Sequence, residues 1–135
     1  MLDHAHAAGV VHHAQPTVVS ITQATELGTV YLPDEIAAIT DAAHSLGMAT
    51  HMDGARLSNA AAALDLSLRA LTTDVGIDVV SFGGTKNGLL FGEAVVVLNP
   101  AAAHGLEYIR KLDMQLASKM RFLSGQVIAL LEGHL

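Results

Sequence analysis

Cysteine and tryptophan are absent from this 135-residue sequence, and other aromatic residues are few, with three phenylalanines and two tyrosines. Without cysteine the chain has no disulfide, no thiolate metal site and no cysteine nucleophile. Charged residues make up only 15% of the sequence, whereas hydrophobic residues, mostly alanine, valine and leucine, make up 51%. This composition suits tightly packed α/β layers. It also predicts a surface that associates with other subunits, because so apolar a surface is hard to keep solvated in a small monomer.

Positive charge is also scarce. Seven Lys and Arg residues are outnumbered by 13 Asp and Glu residues, and the formal net charge is −6. There is no basic stripe of the kind that binds nucleic acid. No apolar run approaches the roughly 18 residues of a membrane span, and the N-terminal residues do not resemble a signal peptide. We therefore expect no nucleic acid partner, no membrane partner and a cytoplasmic location.

The apolar patterns alternate between strand and helix periodicity. Short β-branched runs predict strands at 17–22, 48–52 and 77–82, and a helix begins at Pro33 between the first two. A fourth strand at 92–99 follows the third so closely that it must pair with it in antiparallel fashion. Strands alternating with helices predict an α/β fold with a mainly parallel sheet and flanking helices.

The remaining segments complete this organisation. Residues 53–73 read as a turn followed by one or two alanine-rich helices, and residues 1–16 as a loop. We assign 17–99 to the α/β core and 100–135 to a helical segment with a break near Ser124–Gly125. Because the pattern starts on a loop and stops inside a helix, we expect the chain to be an incomplete domain.

Two groups of polar residues follow the second and third predicted strands. The string HMDGAR contains His51, Asp53 and Arg56, and the string SFGGTK ends in Lys86. Ligands bind at the carboxyl ends of the strands in such sheets. Asp53 and Lys86 are separated by about one crossover connection, so we expect both side chains to reach one crevice.

A carboxylate and a lysine in one crevice suit pyridoxal phosphate. The lysine amine forms an imine with the cofactor aldehyde, and the carboxylate pairs with the pyridine nitrogen and keeps it protonated. Arg56 could hold a substrate carboxylate bidentately. The same strings also have an ordinary interpretation, because Asp-Gly and Thr-Lys-Asn-Gly are common turn sequences. Spacing alone leaves both interpretations open.

The sequence contains, in this order, the four strings SITQATELGTVYLPDEI, HMDGARLSNAAAAL, VVSFGGTKNGLLFGEAVVV and LASKMRFLSGQ. Together they resemble the low-specificity threonine aldolases. These are fold-type I pyridoxal-phosphate enzymes of the β-eliminating lyase group. The resemblance runs from about Val11 to the last residue. It implies that 1–135 is an incomplete pyridoxal-phosphate-binding large domain. It also implies a homo-oligomeric lyase whose substrate is a small β-hydroxy-α-amino acid, L-threonine or L-allo-threonine, cleaved to glycine and acetaldehyde.

The resemblance also implies roles for five residues. Lys86 would be the Schiff-base lysine, in a glycine-rich turn that lets the backbone approach the cofactor, and Asp53 the partner of the pyridine nitrogen. Arg56 would contact the substrate carboxylate and lie near the phenolic oxygen of the cofactor, and Arg121 would support the cofactor phosphate. His12 would lie near the β-hydroxyl of the substrate and assist its deprotonation. A second histidine follows directly, so the register of this last assignment stays open.

The other histidines have simpler expectations. His4, His6 and His13 are expected to be solvated, although the H-x-H and H-H pattern could hold an adventitious metal ion. His51 should share a strand face with Asp53, where it either supports that carboxylate or fills a core position.

Members of this family are much longer than the present sequence. Upstream they carry a Ser/Gly/Thr loop for the cofactor phosphate and a histidine that stacks on the ring, and downstream a small domain with a second carboxylate-binding arginine. The expectation is therefore a truncated lyase with poor activity alone. The alternative is a non-catalytic remnant or interaction module from a split or degraded gene. A third interpretation, another β-eliminating lyase or a serine hydroxymethyltransferase-like reaction, is disfavoured by the D-G-A-R string.

Overall fold

The computed structural model describes residues 8–133 of the chain, so His4 and His6 lie outside the described residues. Within that range the four predicted strands form one sheet in the order β1-β2-β3-β4. Their bounds are Val18–Thr22 (β1), Ala49–Gly54 (β2), Val79–Gly83 (β3) and Glu93–Val97 (β4). β1, β2 and β3 run parallel, and β4 is antiparallel to β3. The predicted mainly parallel sheet with an antiparallel fourth strand is confirmed.

Helices connect and follow the strands. The α-helices of the described range are Pro33–Ser45 (α1), Leu57–Leu64 (α2), Leu106–Leu112 (α3) and Arg121–Leu131 (α4). Short 3-10 turns occupy Arg69–Leu71, Thr73–Val75, Thr85–Asn87 and Pro100–Ala102. The alanine-rich stretch after β2 thus forms one α-helix and two 3-10 turns.

The start of α1 follows its sequence. Leu32 is the N-cap residue and Pro33 the first helical residue, where its fixed φ suits the helix and its missing N–H is not needed. Leucine has no side-chain acceptor with which to cap the helix. The carboxylate of Glu35 accepts a hydrogen bond from the Leu32 backbone N–H at 2.7 Å instead, which supplies one of the two bonds of a capping box.

The predicted helix break near Ser124–Gly125 is wrong, because α4 runs through both residues. The interruption instead separates α3 from α4, where Met114 adopts a left-handed conformation with φ of 57°. A glycine inside a helix lowers the stability of the helix by only about 1 kcal/mol relative to alanine. Neighbouring residues that favour the helix can offset this loss. A left-handed residue breaks the helical hydrogen-bond pattern directly.

The core lies on one face of the sheet. Met52, Val80 and Phe82 point to this face and pack with Ile36 of α1 and Leu57 of α2. All five side chains are buried. Helices α3 and α4 contain no buried residue.

The opposite face of the sheet is much more open. Residues paired in register share a face, so Val18, Ser20, His51, Ser81 and Val95 lie on this side. None of the five is buried, and Val18 and Val95 are 53% and 63% exposed. Within residues 8–133, no helix combines the length and apolar character needed to cross a membrane.

A buried carboxylate ties the elements together at the amino end of β3. Oδ2 of Asp78 accepts hydrogen bonds from the Thr50 backbone N–H at 2.7 Å and from Nε2 of His44 at 2.9 Å, and Oδ1 accepts one from Nδ2 of Asn99 at 2.7 Å. Burial alone would raise the pKa of Asp78, but the hydrogen bonds from Asn99, His44 and Thr50 outweigh it and lower the pKa to about 2. This cluster is structural and lies at the edge of the sheet opposite the carboxyl ends of the parallel strands.

Candidate functional site

The three parallel strands end at one edge of the sheet. Thr22, Asp53 and Ser81 are aligned across β1, β2 and β3. Three polar segments follow these strands directly, and they contain Glu26, Arg56 and Lys86 respectively. This is the edge at which open α/β sheets bind their ligands.

Asp53 occupies the next-to-last position of β2 and is half-buried. Its Oδ1 accepts a hydrogen bond from the backbone N–H of Ala55 at 3.0 Å, and its backbone carbonyl accepts one from the N–H of Gln23 at 2.9 Å. Oδ2 has no hydrogen-bond partner among residues 8–133. The carboxylate is therefore fixed by the fold and keeps one oxygen for a ligand.

Lys86 lies in the 3-10 turn Thr85–Asn87, just beyond β3. The side-chain amide of Asn87 donates to the carbonyl of Gly83, and the Asn87 backbone N–H donates to the carbonyl of Gly84. The turn is thus held by its own asparagine. The Lys86 amine is exposed and makes no hydrogen bond or ion pair within the described part of the chain. The predicted location of Asp53 and Lys86 at one edge is confirmed, whereas their chemical roles stay predictions.

Gly83 and Gly84, which precede Lys86, allow close packing of the backbone against neighbouring segments. A Cβ atom on Gly83 would lie 2.6 Å from Cα and 2.7 Å from the carbonyl oxygen of Ala55. A Cβ atom on Gly84 would lie 2.6 Å from the carbonyl oxygen of Gly92 and would overlap the side chain of Leu89. Close packing of the protein thus accounts for both glycines, and the predicted approach to a cofactor is a separate proposal.

Arg56 forms an ion pair that its local sequence does not predict. Its Nη1 lies 2.8 Å from Oε1 of Glu26, with side-chain exposures of 27% for the arginine and 71% for the glutamate. The hydrogen bond from Arg56 is the main cause that lowers the pKa of Glu26. The charge of Lys86 also contributes. Glu26 therefore lies within electrostatic reach of both cations. The sequence feature that could have identified Glu26 is its position just beyond the carboxyl end of β1.

His51 bridges three strands on the open face of the sheet. Its Nδ1 lies 2.8 Å from Oγ of Ser20 on β1, and its Nε2 lies 2.8 Å from Oγ of Ser81 on β3. The ring shares a face with Asp53, as predicted, but is held by these two hydroxyls rather than by the carboxylate. No pattern in the sequence indicates that either serine is its partner.

Arg121 is the first residue of α4 and is exposed, with its guanidinium carbon 4.6 Å from the centre of the Phe122 ring. Oε1 of Gln126, on the same helix, accepts a hydrogen bond from the N–H of Leu90 at 2.9 Å. This bond brings α4 to the segment that follows Lys86. None of the hydrogen bonds or ion pairs within residues 8–133 joins Arg121 to Asp53 or Lys86, and its phosphate role stays a prediction.

His12 lies in the exposed segment before β1. Within the described range, no hydrogen bond or ion pair joins it to Asp53, Arg56 or Lys86. Neighbouring residues of this segment line a shallow cleft: Gly9, Val10, Val11, His13 and Gln15. The structure thus places Asp53, Arg56 and Lys86 at one edge of the sheet, and no contact among the described residues connects His12 to them. In the same range no group of three His, Asp or Glu residues could hold a metal ion.

Comparisons with known proteins agree on one family. The family model described as beta-eliminating lyase matches residues 2–133. Two curated relatives, both named low specificity L-threonine aldolase, come from a Pseudomonas species (52% identity over 122 residues) and from Pseudomonas aeruginosa (49% identity over 122 residues). Each match covers 90% of this chain and 35% of the relative. The chain thus spans about a third of the length of the curated relatives it matches.

A solved structure supports the same grouping. The threonine aldolase of Leishmania major matches with a TM-score of 0.70 and 31% sequence identity. The match covers 79% of this chain and 31% of that chain.

Proposed function

The chain belongs to the beta-eliminating lyase family, and on that premise we propose that it carries the lysine and carboxylate of a pyridoxal-phosphate-dependent threonine aldolase site. The observation that carries the proposal is the location of Asp53 at the carboxyl end of β2 and of Lys86 just beyond β3, each with a reactive atom that no group of residues 8–133 engages. The name of the two curated relatives, low specificity L-threonine aldolase, supplies the reaction class. The proposed reaction is retro-aldol cleavage of L-threonine or L-allo-threonine to glycine and acetaldehyde.

The chemistry of the free groups fits the cofactor. Lys86 offers an exposed primary amine for its aldehyde. Asp53 offers, for the protonated ring nitrogen of the cofactor, a carboxylate oxygen that no residue in the described range engages, and an opposite charge at that point favours the protonated form. Arg56 uses only Nη1 for Glu26, and its other N–H groups have no hydrogen-bond partner among residues 8–133, so they can bind a carboxylate.

When bound, pyridoxal phosphate supplies an electron sink for the electron pair of the breaking Cα–Cβ bond. Lys86 holds the cofactor through its amine, and Asp53 holds the proton on the ring nitrogen. Arg56 orients the substrate through its carboxylate, because a planar guanidinium can bind a carboxylate bidentately. His12 is proposed to accept the proton of the β-hydroxyl, and Arg121 to bind the cofactor phosphate.

The activity that we propose for this chain alone is smaller than that of a full-length site. Because the chain spans about a third of the relatives, we propose only Lys86-dependent capture of the cofactor for the chain alone, with little or no threonine cleavage. Charge-assisted hydrogen bonds contribute about 1.5–3 kcal/mol each. A site with two or three fewer phosphate contacts would thus bind the cofactor weaker by several powers of ten.

A chimera tests the cleavage reaction. The matching 122 residues of the Pseudomonas relative are replaced by the corresponding segment of this chain, and acetaldehyde release from L-threonine is measured. We expect activity that is lost in the Lys86→Ala chimera and kept in a Lys111→Ala control. A folded chimera without Lys86-dependent acetaldehyde release would contradict the proposal and favour a non-catalytic interaction module.

A further inference from the structure

Glu26 and Arg56 are joined through only one of the guanidinium nitrogens. Nη1 of Arg56 lies 2.8 Å from Oε1 of Glu26. The Nε and Nη2 groups have no hydrogen-bond partner among residues 8–133. These two nitrogens form one edge of the planar guanidinium, and such an edge can bind both oxygens of a carboxylate at once. The ion pair thus leaves a bidentate edge of Arg56 free.

The turn that carries Glu26 is closed on itself. The backbone N–H of Thr25 donates to the carbonyl of Thr29 at 3.0 Å, and the N–H of Gly28 donates to the carbonyl of Thr25 at 3.0 Å. The hydroxyls of Thr25 and Thr29 lie 2.6 Å apart. These bonds fix residues 25–29 as one tight turn, although Glu26 itself is exposed.

The base of this turn is clamped to the strand that bears Asp53. Gln23 is fully buried, and its side-chain amide makes two hydrogen bonds of 2.9 Å with the backbone of Tyr31. The backbone N–H of Gln23 donates to the carbonyl of Asp53 at 2.9 Å. Glu26 is therefore held in a defined position relative to Asp53 rather than on a free loop.

We infer that Glu26 is a positioning residue for Arg56, which it holds through Nη1 so that the Nε and Nη2 edge is presented to a ligand carboxylate. Arginine has many rotamers in solution, and fixing a binding group before the ligand arrives reduces the entropy lost on binding. Glu26 and Arg56 follow the carboxyl ends of β1 and β2, and Lys86 follows that of β3, so the pair lies at the same edge of the sheet as the proposed cofactor lysine. The inference rests on the proposed function for the identity of the carboxylate as that of an amino acid substrate.

The test uses the 135-residue chain with ¹⁵N-labelled arginine and acetate as the carboxylate probe. The Nε–H signal of Arg56 is assigned with Arg56→Lys and followed by NMR as acetate is added, with sodium chloride at equal ionic strength as the reference. Glu26→Gln keeps the size of the side chain and removes its charge. The matched control is Asp74→Asn, because Asp74 forms an ion pair of the same length, 2.8 Å, with Arg69.

We expect Glu26→Gln to weaken acetate binding at Arg56 by about fivefold, the upper range for an exposed ion pair, and Asp74→Asn to leave it unchanged. Glu26→Ala should weaken binding to the same extent, and an unchanged Arg69 signal shows that each Glu26 variant is folded. Unchanged or tighter acetate binding in Glu26→Gln would overturn the inference, as would a wild-type Arg56 signal that does not respond to acetate. Neither result depends on the cofactor, so a failure here is distinct from a failure of Lys86 to capture pyridoxal phosphate.

Discussion

Asp53 and Lys86 lie at the carboxyl ends of adjacent parallel strands: Asp53 is in β2 and is aligned with Ser81 of β3, and Lys86 lies in the turn directly beyond β3. Both backbones are fixed by local hydrogen bonds. Their reactive atoms, Oδ2 and Nζ, are free of protein partners within residues 8–133. This combination of a fixed backbone and free functional groups is what a binding site for a rigid aromatic cofactor requires.

Asp53→Asn should weaken capture of pyridoxal phosphate. The substitution removes the negative charge proposed to face the protonated ring nitrogen, and a charge-assisted hydrogen bond is worth about 1.5–3 kcal/mol. We therefore expect a loss of affinity of about 10- to 100-fold, measured by absorbance titration. Asp41→Asn, an exposed change in α1, is the control. Equal affinities for both variants would contradict the assigned role of Asp53.

Acid should destabilise the fold through Asp78. Its pKa is about 2 in the folded protein, against an ordinary value of 3.8. Because the folded value is the lower one, the stabilisation is fully present above pH 3.8 and is lost as pH falls towards 2. The difference corresponds to about 2 kcal/mol.

Urea unfolding between pH 2 and 7 measures this effect. Asp78→Asn should be less stable than the wild type at pH 7, and the two proteins should approach each other in stability as the pH falls towards 2. An identical dependence of the unfolding free energy on pH in both proteins would rule out Asp78 as its source.

Gly83→Ala should destabilise the edge that bears the site. The new Cβ atom would lie 2.6 Å from Cα of Ala55, and relieving such overpacking typically costs about 1–3 kcal/mol. Gly125→Ala is the matched control, because a Cβ atom there has no neighbour within 4 Å and alanine is favoured in a helix by about 1 kcal/mol. Thermal unfolding should move in opposite directions for the two variants. A Gly83→Ala protein as stable as the wild type would show that the close approach to Ala55 does not exclude a side chain at position 83.

The open face of the sheet should promote self-association, as the apolar composition predicts. Val18 and Val95 are more than half exposed on that face. Replacing both with lysine should shift the chain from larger assemblies towards the monomer in sedimentation velocity experiments at micromolar concentration. A compact wild-type monomer under the same conditions would contradict this expectation.

Much of the fold could be predicted from local sequence. β-branched runs indicated the strands, and the short connection before β4 dictated its antiparallel pairing. The common edge of Asp53 and Lys86 followed from the topology alone, since consecutive parallel strands end on the same side. The helix break could not be placed, because the left-handed conformation of Met114 has no strong sequence signal, whereas Gly125 has a misleading one.

Glu26 could not be found in the same way. It lies in TELGT, which reads as an ordinary turn, and its partner Arg56 is 30 residues away in sequence. Their contact depends on the alignment of β1 with β2 and on the buried amide of Gln23. The cluster around Asp78 was missed for a similar reason, because its partners come from α1, β2 and the segment after β4.

The central claim is that Lys86 is the residue that captures the cofactor. The chain has three lysines, Lys86, Lys111 and Lys119, and all three are exposed, so the other two are internal controls. The decisive measurement is incubation with limiting pyridoxal phosphate, reduction with borohydride to fix the linkage, and peptide mass spectrometry to locate it. The account predicts that the label is concentrated on Lys86 and that Lys86→Ala abolishes the absorbance band of the bound cofactor. A label spread evenly over the three lysines, with the band unchanged in Lys86→Ala, would contradict it.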